Sequence, residues 1–203
     1  MITNYGPADY NAEVNNYDVI IGNDKRVYFG NEQGILIYDG NDWELISLPN
    51  NGAVYAFAKS STGTIYVGGV SESGYLTPDK QGNLLYQSLN PTIYNDTVPG
   101  SVRVVRKNGD RMISLSQHDF AFIDPKTFEL ISHVKDRWPA ENCYAIPGEQ
   151  FYCACSEDDL YVLKEEGWEF IRSTPFAKHV TKSLVGPVTL GDHRLLVTSI
   201  GIF

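Results

Sequence analysis

The sequence predicts an all-β fold, a β-propeller present as four four-stranded blades and the start of a fifth. Two observations lead to this prediction. A unit of short apolar strands recurs along the 203 residues, and the composition, with 13 Tyr, 9 Phe, 18 Gly and 10 Pro, is typical of short strands joined by tight turns. Because one four-stranded unit cannot bury both of its faces, successive units are expected to stack around a central axis.

The repeat is marked by an apolar residue near the start of the second strand of each blade. Spacings between these residues are 38, 47, 39 and 44, as expected for blades of about 40 to 45 residues with loops of different length. The five anchors are Val27, Ile65, Met112, Phe151 and Leu195. A further apolar strand precedes each of the first four anchors, beginning at Tyr17, Val54, Val102 and Cys143.

Turn residues separate the third and fourth strands in blades one, two and four, and the first and second strands in blade three. Each turn contains a glycine, which tolerates a positive φ. These turns are Gly40-Asn41, Gly82-Asn83, Asn108-Gly109 and Glu166-Gly167.

These spacings predict one partial propeller domain over residues 1–203. The predicted blades are 16–49, 51–89, 101–133, 141–173 and a truncated 183–203. Because the chain ends inside the third strand of its fifth blade, we expect a piece of a longer protein with missing blades downstream. The segment from Tyr5 to Asn15 is a candidate for a closing strand, and a solenoid or a sandwich is the structural alternative.

The charge of the chain indicates which classes of partner are not expected. The chain has 25 Asp and Glu against 16 Lys and Arg, a net charge of −9, and no basic face is visible. Nucleic acid and anionic membrane surfaces are therefore not expected as partners. No apolar run reaches the roughly 18 residues that span a bilayer, and the N-terminus does not read as a signal peptide.

No motif for catalysis, for metal binding or for a cofactor is present, so none of these is predicted. The four histidines are isolated and are expected in loops or at the surface. Cys153 and Cys155 point to one face of a strand, where core packing is favoured over a metal or redox pair. Cys143, on the preceding strand, is expected to lie beside Cys153.

Loops that join the second and third strands are the predicted ligand site. They occupy equivalent positions in successive blades, so the ring brings them to one rim of the central channel. Their amide, hydroxyl and carboxylate groups suit sugar hydroxyls, and nearby Tyr or Trp rings suit sugar faces. The plainer interpretation is that exposed loops are polar. The candidate residues are Asn31, Glu32, Gln33, Glu72, Gln117, His118, Ser156 and Glu157.

The first two repeats resemble the two-component-regulator propeller repeat. The resemblance is specific from about Asn16 to Leu89, whereas the third repeat has neither a central glycine nor a tryptophan. The residues that carry it are Gly34, Tyr38-Asp39-Gly40, Trp43 and the run from Gly68 to Tyr75.

This resemblance implies a periplasmic sensor domain, as in Bacteroidetes hybrid two-component systems and related one-component regulators. Such a domain would bind an oligosaccharide and signal through a membrane helix to a histidine kinase or a DNA-binding domain, with homodimerisation through the parent protein. The chain itself is then non-catalytic. Two other interpretations stay open, a protein-interaction scaffold and a carbohydrate-active enzyme that would use Glu32, Glu72, His118 and Glu157.

Overall fold

The computed structural model describes residues 3–95, 100–116, 119–135, 143–145, 151–154, 159–164, 167–173, 184–190, 193–198 and 201–202. These residues form five antiparallel sheets and two short helices. Strand order within each sheet follows the chain, so every sheet is a simple meander. Each sheet corresponds to one predicted blade.

The first two blades are described throughout. Blade one contains β1 Asn16–Ile21, β2 Val27–Asn31, β3 Gly34–Tyr38 and β4 Trp43–Ile46. Blade two contains β5 Val54–Lys59, β6 Ile65–Gly69, β7 Glu72–Pro78 and β8 Leu84–Ser88.

The remaining three sheets repeat this arrangement. Blade three contains β9 Val104–Asn108, β10 Arg111–Leu115, β11 Asp119–Ile123 and β12 Leu130–Lys135. Blade four contains β13 Cys143–Ala145, β14 Phe151–Ala154, β15 Asp159–Lys164 and β16 Gly167–Ser173. Blade five contains β17 Leu184–Leu190, β18 His193–Thr198 and β19 Gly201–Ile202.

The first strand of each blade lies nearest the central axis. β1 contacts β5, β5 contacts β9, and β13 contacts β17, whereas the later strands of each blade follow outward in order. This radial arrangement of four-stranded meanders is that of a β-propeller, which confirms the predicted fold class. All four turn glycines have positive φ, between 56° and 130°. The backbone register also pairs Cys143 with Cys153, as expected.

Close approach between blades depends on a small residue at one position of the second strand. A Cβ added to Gly30 would lie 2.8 Å from the carbonyl oxygen of Val54, and one added to Gly68 would lie 2.8 Å from that of Val102. Gly30 and Gly68 therefore occupy equivalent positions, each facing the start of the next blade's first strand. The absence of a side chain lets the innermost strands of neighbouring blades come into contact.

Apolar side chains fill the space between these blades. Between blades one and two the core includes Ile35, Ile37 and Phe57, and between blades two and three it includes Tyr66 and Met112. These side chains come from both sheets, so each interface is formed by the packing of two neighbouring blades. Burial of apolar area at these interfaces is the main source of stability for the stack.

One face of blade one has no such cover. Val19 and Ile21 on β1 are 56% and 61% exposed. The residues at the position of Val19 in the next two blades are Phe57 and Val105, which are only 4% and 1% exposed because each packs against the preceding blade. β1 therefore presents to solvent the face that its counterparts bury.

The two short helices lie outside the sheets. α1 Pro7–Tyr10 begins at a proline, which favours the first turn of a helix. The segment from Tyr5 to Asn15 therefore does not form the closing strand considered above; instead the rings of Tyr5 and Tyr10 pack on Trp43 of β4. α2 Asn90–Tyr94 lies in the segment that joins β8 of blade two to β9 of blade three.

Substitution of Gly68 by Ala should lower the free energy of unfolding by about 1–3 kcal/mol, the usual cost of overpacking a close contact. The new methyl group would meet both the backbone and the side chain of Val102. Urea denaturation of the variant measures the change. Gly6→Ala is the control, because the nearest atom to its added Cβ lies 3.8 Å away. Equal stability of Gly68→Ala and the unchanged chain would contradict this account of blade packing.

Candidate functional site

The beginning of β1 and the turn after β2 lie at the same rim of the propeller. Asn16 at the start of β1 pairs with Asn31 at the end of β2. The backbone N–H of Glu32, in the following turn, donates to the carbonyl of Asn15 at 3.1 Å. The predicted loops and the first residues of the innermost strands therefore share one end of the channel.

Two tyrosines mark this end of the channel. The register of β1 shifts between Asn16 and Asp18, and that of β5 shifts between Val54 and Ala56. Each shift leaves one residue out of the ladder, Tyr17 in blade one and Tyr55 in blade two, and such bulges redirect a side chain. The two rings meet edge to face, with centroids 5.0 Å apart.

Arg103 occupies the corresponding position in blade three. Val54 faces Gly30 and Val102 faces Gly68, so the residue after each valine is equivalent, and in blade three this residue is Arg103. Its side chain is exposed, and its Cζ lies 5.0 Å from the centroid of the Tyr55 ring. This is cation–π geometry, and it orders the guanidinium beside the aromatic pair.

Glu32 adds a carboxylate to the same group. It is exposed in the turn after β2, and its Oε2 accepts a hydrogen bond of 2.8 Å from the Asn15 side chain. Loss of hydration raises the pKa of Tyr17, the negative charge of Glu32 raises it further, and Arg103 acts in the opposite direction. We call Tyr17, Glu32, Tyr55 and Arg103 the inner rim.

Asn31 is close to the inner rim but turned into the protein. It is fully buried, and its Nδ2 lies 2.7 Å from the carbonyl oxygen of Glu13, 2.9 Å from Asn16 Oδ1 and 3.2 Å from the carbonyl oxygen of Asn15. Its Oδ1 accepts from the backbone N–H of Gln33 at 3.0 Å. The side chain thus fastens the segment before β1 to the turn after β2.

Glu72 is likewise buried, and it lies inside a strand. The loop of blade two is expected at Ser71 to Ser73, but β7 already begins at Glu72. The hydroxyls of Tyr86 and Ser88 donate to its Oε2 at 3.0 and 2.8 Å. Burial, followed by the charge of Glu72, raises the pKa of Tyr86. This carboxylate is held between the strands of blade two.

The other candidates fall into two groups. Gln33 is exposed beside Glu32 in the turn after β2. Gln117, His118, Ser156 and Glu157 lie outside the described residues. Ligand binding by the eight candidates stays a prediction. The sequence did not predict three residues of the inner rim, namely Tyr17, Tyr55 and Arg103. A bulge that redirects one residue does not alter the alternation of apolar and polar residues along a strand, so no sequence pattern indicates it.

A concave site lies at the opposite end of blades one and two. It is a pocket of about 290 Å³, between the turns that follow β1 and β5. Asp24 at its edge accepts hydrogen bonds from Tyr28 Oη at 2.6 Å and Arg26 Nε at 2.7 Å. Burial opposes ionisation of Asp24, but these donors outweigh it and lower its pKa. The sequence did not indicate this pocket.

The described part of the chain contains no group of three or more His, Cys, Asp or Glu residues arranged to hold a metal ion. Nor does any helix in the described ranges have the length and apolar character needed to cross a membrane.

Comparison with known proteins shows the fold alone. No family model matches, and no curated protein matches. The chain is similar to a catalytically inactive virginiamycin B lyase from Staphylococcus aureus solved with quinupristin, with a TM-score of 0.63 and 12% identity over 92% of this chain and 64% of that one. It is also similar to the WD40 propeller domain of Doa1, with a TM-score of 0.61 and 13% identity over 92% and 63%.

A third similar structure is the extracellular domain of a candidate one-component system from B. thetaiotaomicron. Its TM-score is 0.54, with 16% identity over 90% of this chain and 23% of that one. The chain therefore spans less than two thirds of the length of each of these three structures. At these identities, the likeness supports a propeller and leaves the ligand open.

Substitution of Asn31 by Ala should lower the free energy of unfolding by about 1–3 kcal/mol, because it leaves buried polar groups without partners. Chemical denaturation followed by tryptophan fluorescence measures this. Gln33→Ala is the matched control in the same turn and should change stability by less than about 0.5 kcal/mol. If Asn31→Ala were as neutral as the control, the buried amide would not be fastening this segment.

Proposed function

We propose that the chain is a non-catalytic, ligand-sensing part of an extracytoplasmic domain, belonging to a membrane-bound regulator of the two-component type. Its ligand is an oligosaccharide, bound at the inner rim. The observation that carries this proposal is the row of exposed Tyr17, half-buried Tyr55 and exposed Arg103, to which three successive blades each contribute one residue. A periplasmic location and a signal relayed by the parent protein belong to the same proposal.

The chemistry of the row suits a sugar. Aromatic rings offer a flat apolar surface for the C–H face of a pyranose, while the hydroxyls around that face need donors and acceptors. Glu32 supplies an acceptor, the Tyr17 hydroxyl supplies both functions, and Arg103 supplies donors. A site of this kind recognises an oligosaccharide without any reacting group.

Two observations support sensing over catalysis. An enzyme on this rim would need a pair of acid and base groups within reach of one bond. Glu72, the carboxylate expected to partner Glu32, is instead buried under the hydroxyls of Tyr86 and Ser88. The similar structures also include extracellular domains of candidate one-component and hybrid two-component systems of B. thetaiotaomicron, although others are lyases.

We further propose that additional blades of the parent protein complete the ring. The exposed face of β1 supports this, because Val19 stands where Phe57 and Val105 are covered by a preceding blade. A row of exposed apolar residues on an innermost strand is an aggregation liability unless something packs on it. The partial coverage of the propeller chains similar to this one is consistent with the same arrangement.

Binding should be measured by calorimetry with a panel of neutral and acidic plant and host oligosaccharides. We expect one class of glycan to bind, and Tyr55→Ala to weaken that binding about tenfold, because an aromatic contact contributes about 0.5–1.5 kcal/mol. Tyr5→Ala is the control, since Tyr5 is an exposed ring before α1 that packs on Trp43 of the outer strand of blade one.

A folded chain that binds no member of the panel would contradict the sensing proposal. Binding that Tyr55→Ala and Tyr17→Ala leave unchanged would contradict the inner rim as its location.

A further inference from the structure

We infer that the oligosaccharide bound at the inner rim carries an anionic group, a carboxylate or a sulfate ester, and that Arg103 is the residue that selects it. This inference rests on the proposed function and goes beyond it by naming the chemical class of the ligand. It follows from the position of one exposed cation in a chain whose net charge is −9.

The guanidinium of Arg103 has N–H donors that are available to a ligand. Among the described residues, Arg26 forms an ion pair with Asp24 and the imidazole of His133 lies 3.4 Å from Asp119, and Arg103 takes part in neither contact. Its Cζ lies over the face of the Tyr55 ring, and a cation–π contact of this kind uses the charge of the guanidinium rather than a hydrogen bond from its five N–H groups. The N–H edge therefore remains free to bind a ligand.

A guanidinium with free edges is better matched to an anion than to a hydroxyl. Its planar fork forms two parallel hydrogen bonds to a carboxylate or to a sulfate, and such charge-assisted pairs are about twice as strong as neutral ones. Stacking on Tyr55 holds the fork in place before the ligand arrives, so less side-chain freedom is lost on binding. Lysine would not provide the same geometry.

The overall negative charge does not prevent this. The net charge of −9 repels anions at a distance, but at physiological ionic strength charges more than about 8 Å apart are largely screened. The local cation therefore decides which charged groups bind at the inner rim, and the preference should weaken as salt is added.

Glu32 fixes the direction in which such a ligand lies. It lies beside blade one, where its N–H donates to the Asn15 carbonyl at 3.1 Å, whereas Arg103 of blade three lies against the Tyr55 ring. Glu32 repels an anionic group and accepts hydrogen bonds from sugar hydroxyls. The anionic group of the ligand is thus directed to the Arg103 end, and neutral hydroxyls to the Glu32 end.

The test compares two trisaccharides that differ in one group per sugar. α-1,4-Trigalacturonate has a carboxylate where α-1,4-galactotriose has a hydroxymethyl group. Calorimetry with the full chain should give at least tenfold tighter binding of trigalacturonate, and the difference should shrink as sodium chloride is raised. A sulfated galactose oligosaccharide that contains no uronic acid forms a further arm, which separates sulfate from carboxylate recognition.

Variants of Arg103 assign the preference to this residue. Arg103→Gln should abolish the preference for the acidic sugar, so that trigalacturonate and galactotriose bind with equal affinity, and Arg103→Lys should retain the preference only in part. Lys107→Gln is the matched control: it removes one exposed positive charge near the far end of β9, the strand that Arg103 directly precedes, about 13 Å away. It should leave the preference unchanged.

Equal binding of neutral and acidic sugars would overturn this inference while leaving the proposed function intact, as would a preference that survives Arg103→Gln. If no sugar binds but a glutamate tetrapeptide does, the anion belongs to a protein partner, and both proposals are wrong. If nothing in the panel binds to the folded chain, the proposed function fails and this inference fails with it.

Discussion

The contact between neighbouring blades is the constraint on which the rest of the structure depends. Each four-stranded sheet leaves an apolar face that only another sheet can cover, and Phe57 and Val105 show that face fully buried. The fit is tight because Gly30 and Gly68 carry no side chain where the next blade begins. Spacing between the innermost strands is therefore set by backbone contact. This spacing also fixes the distances between the residues at the ends of those strands.

The inner rim is a product of this spacing. Tyr17, Tyr55 and Arg103 belong to different repeats, and each is only one residue near the start of an innermost strand. They meet because bulges redirect the two tyrosines and because neighbouring blades stand close enough for ring contact at 5.0 Å. A site assembled from several blades is sensitive to how those blades are placed, which is what a sensor requires of its ligand site.

Much of the fold could be predicted from the sequence, and less of the site. Strand spacing and turn glycines located the blades, since both are local properties of the chain. Glu32 and Gln33 are exposed in a turn at the rim, but Asn31 and Glu72 are occupied by hydrogen bonds to residues 14 to 18 positions away, which local pattern does not reveal. The short N-terminal helix could not be predicted for a similar reason, because the rings of Tyr5 and Tyr10 in this segment pack on Trp43, far along the chain.

The most direct test of the account is a crystal structure of the chain with the oligosaccharide that binds it most tightly in solution. The account predicts a sugar ring in contact with Tyr17 and Tyr55, with Arg103 hydrogen-bonded to one of its substituents. A sugar bound instead in the pocket between blades one and two, beside Asp24 and Tyr28, would contradict it, and would move the functional site to the opposite end of the propeller.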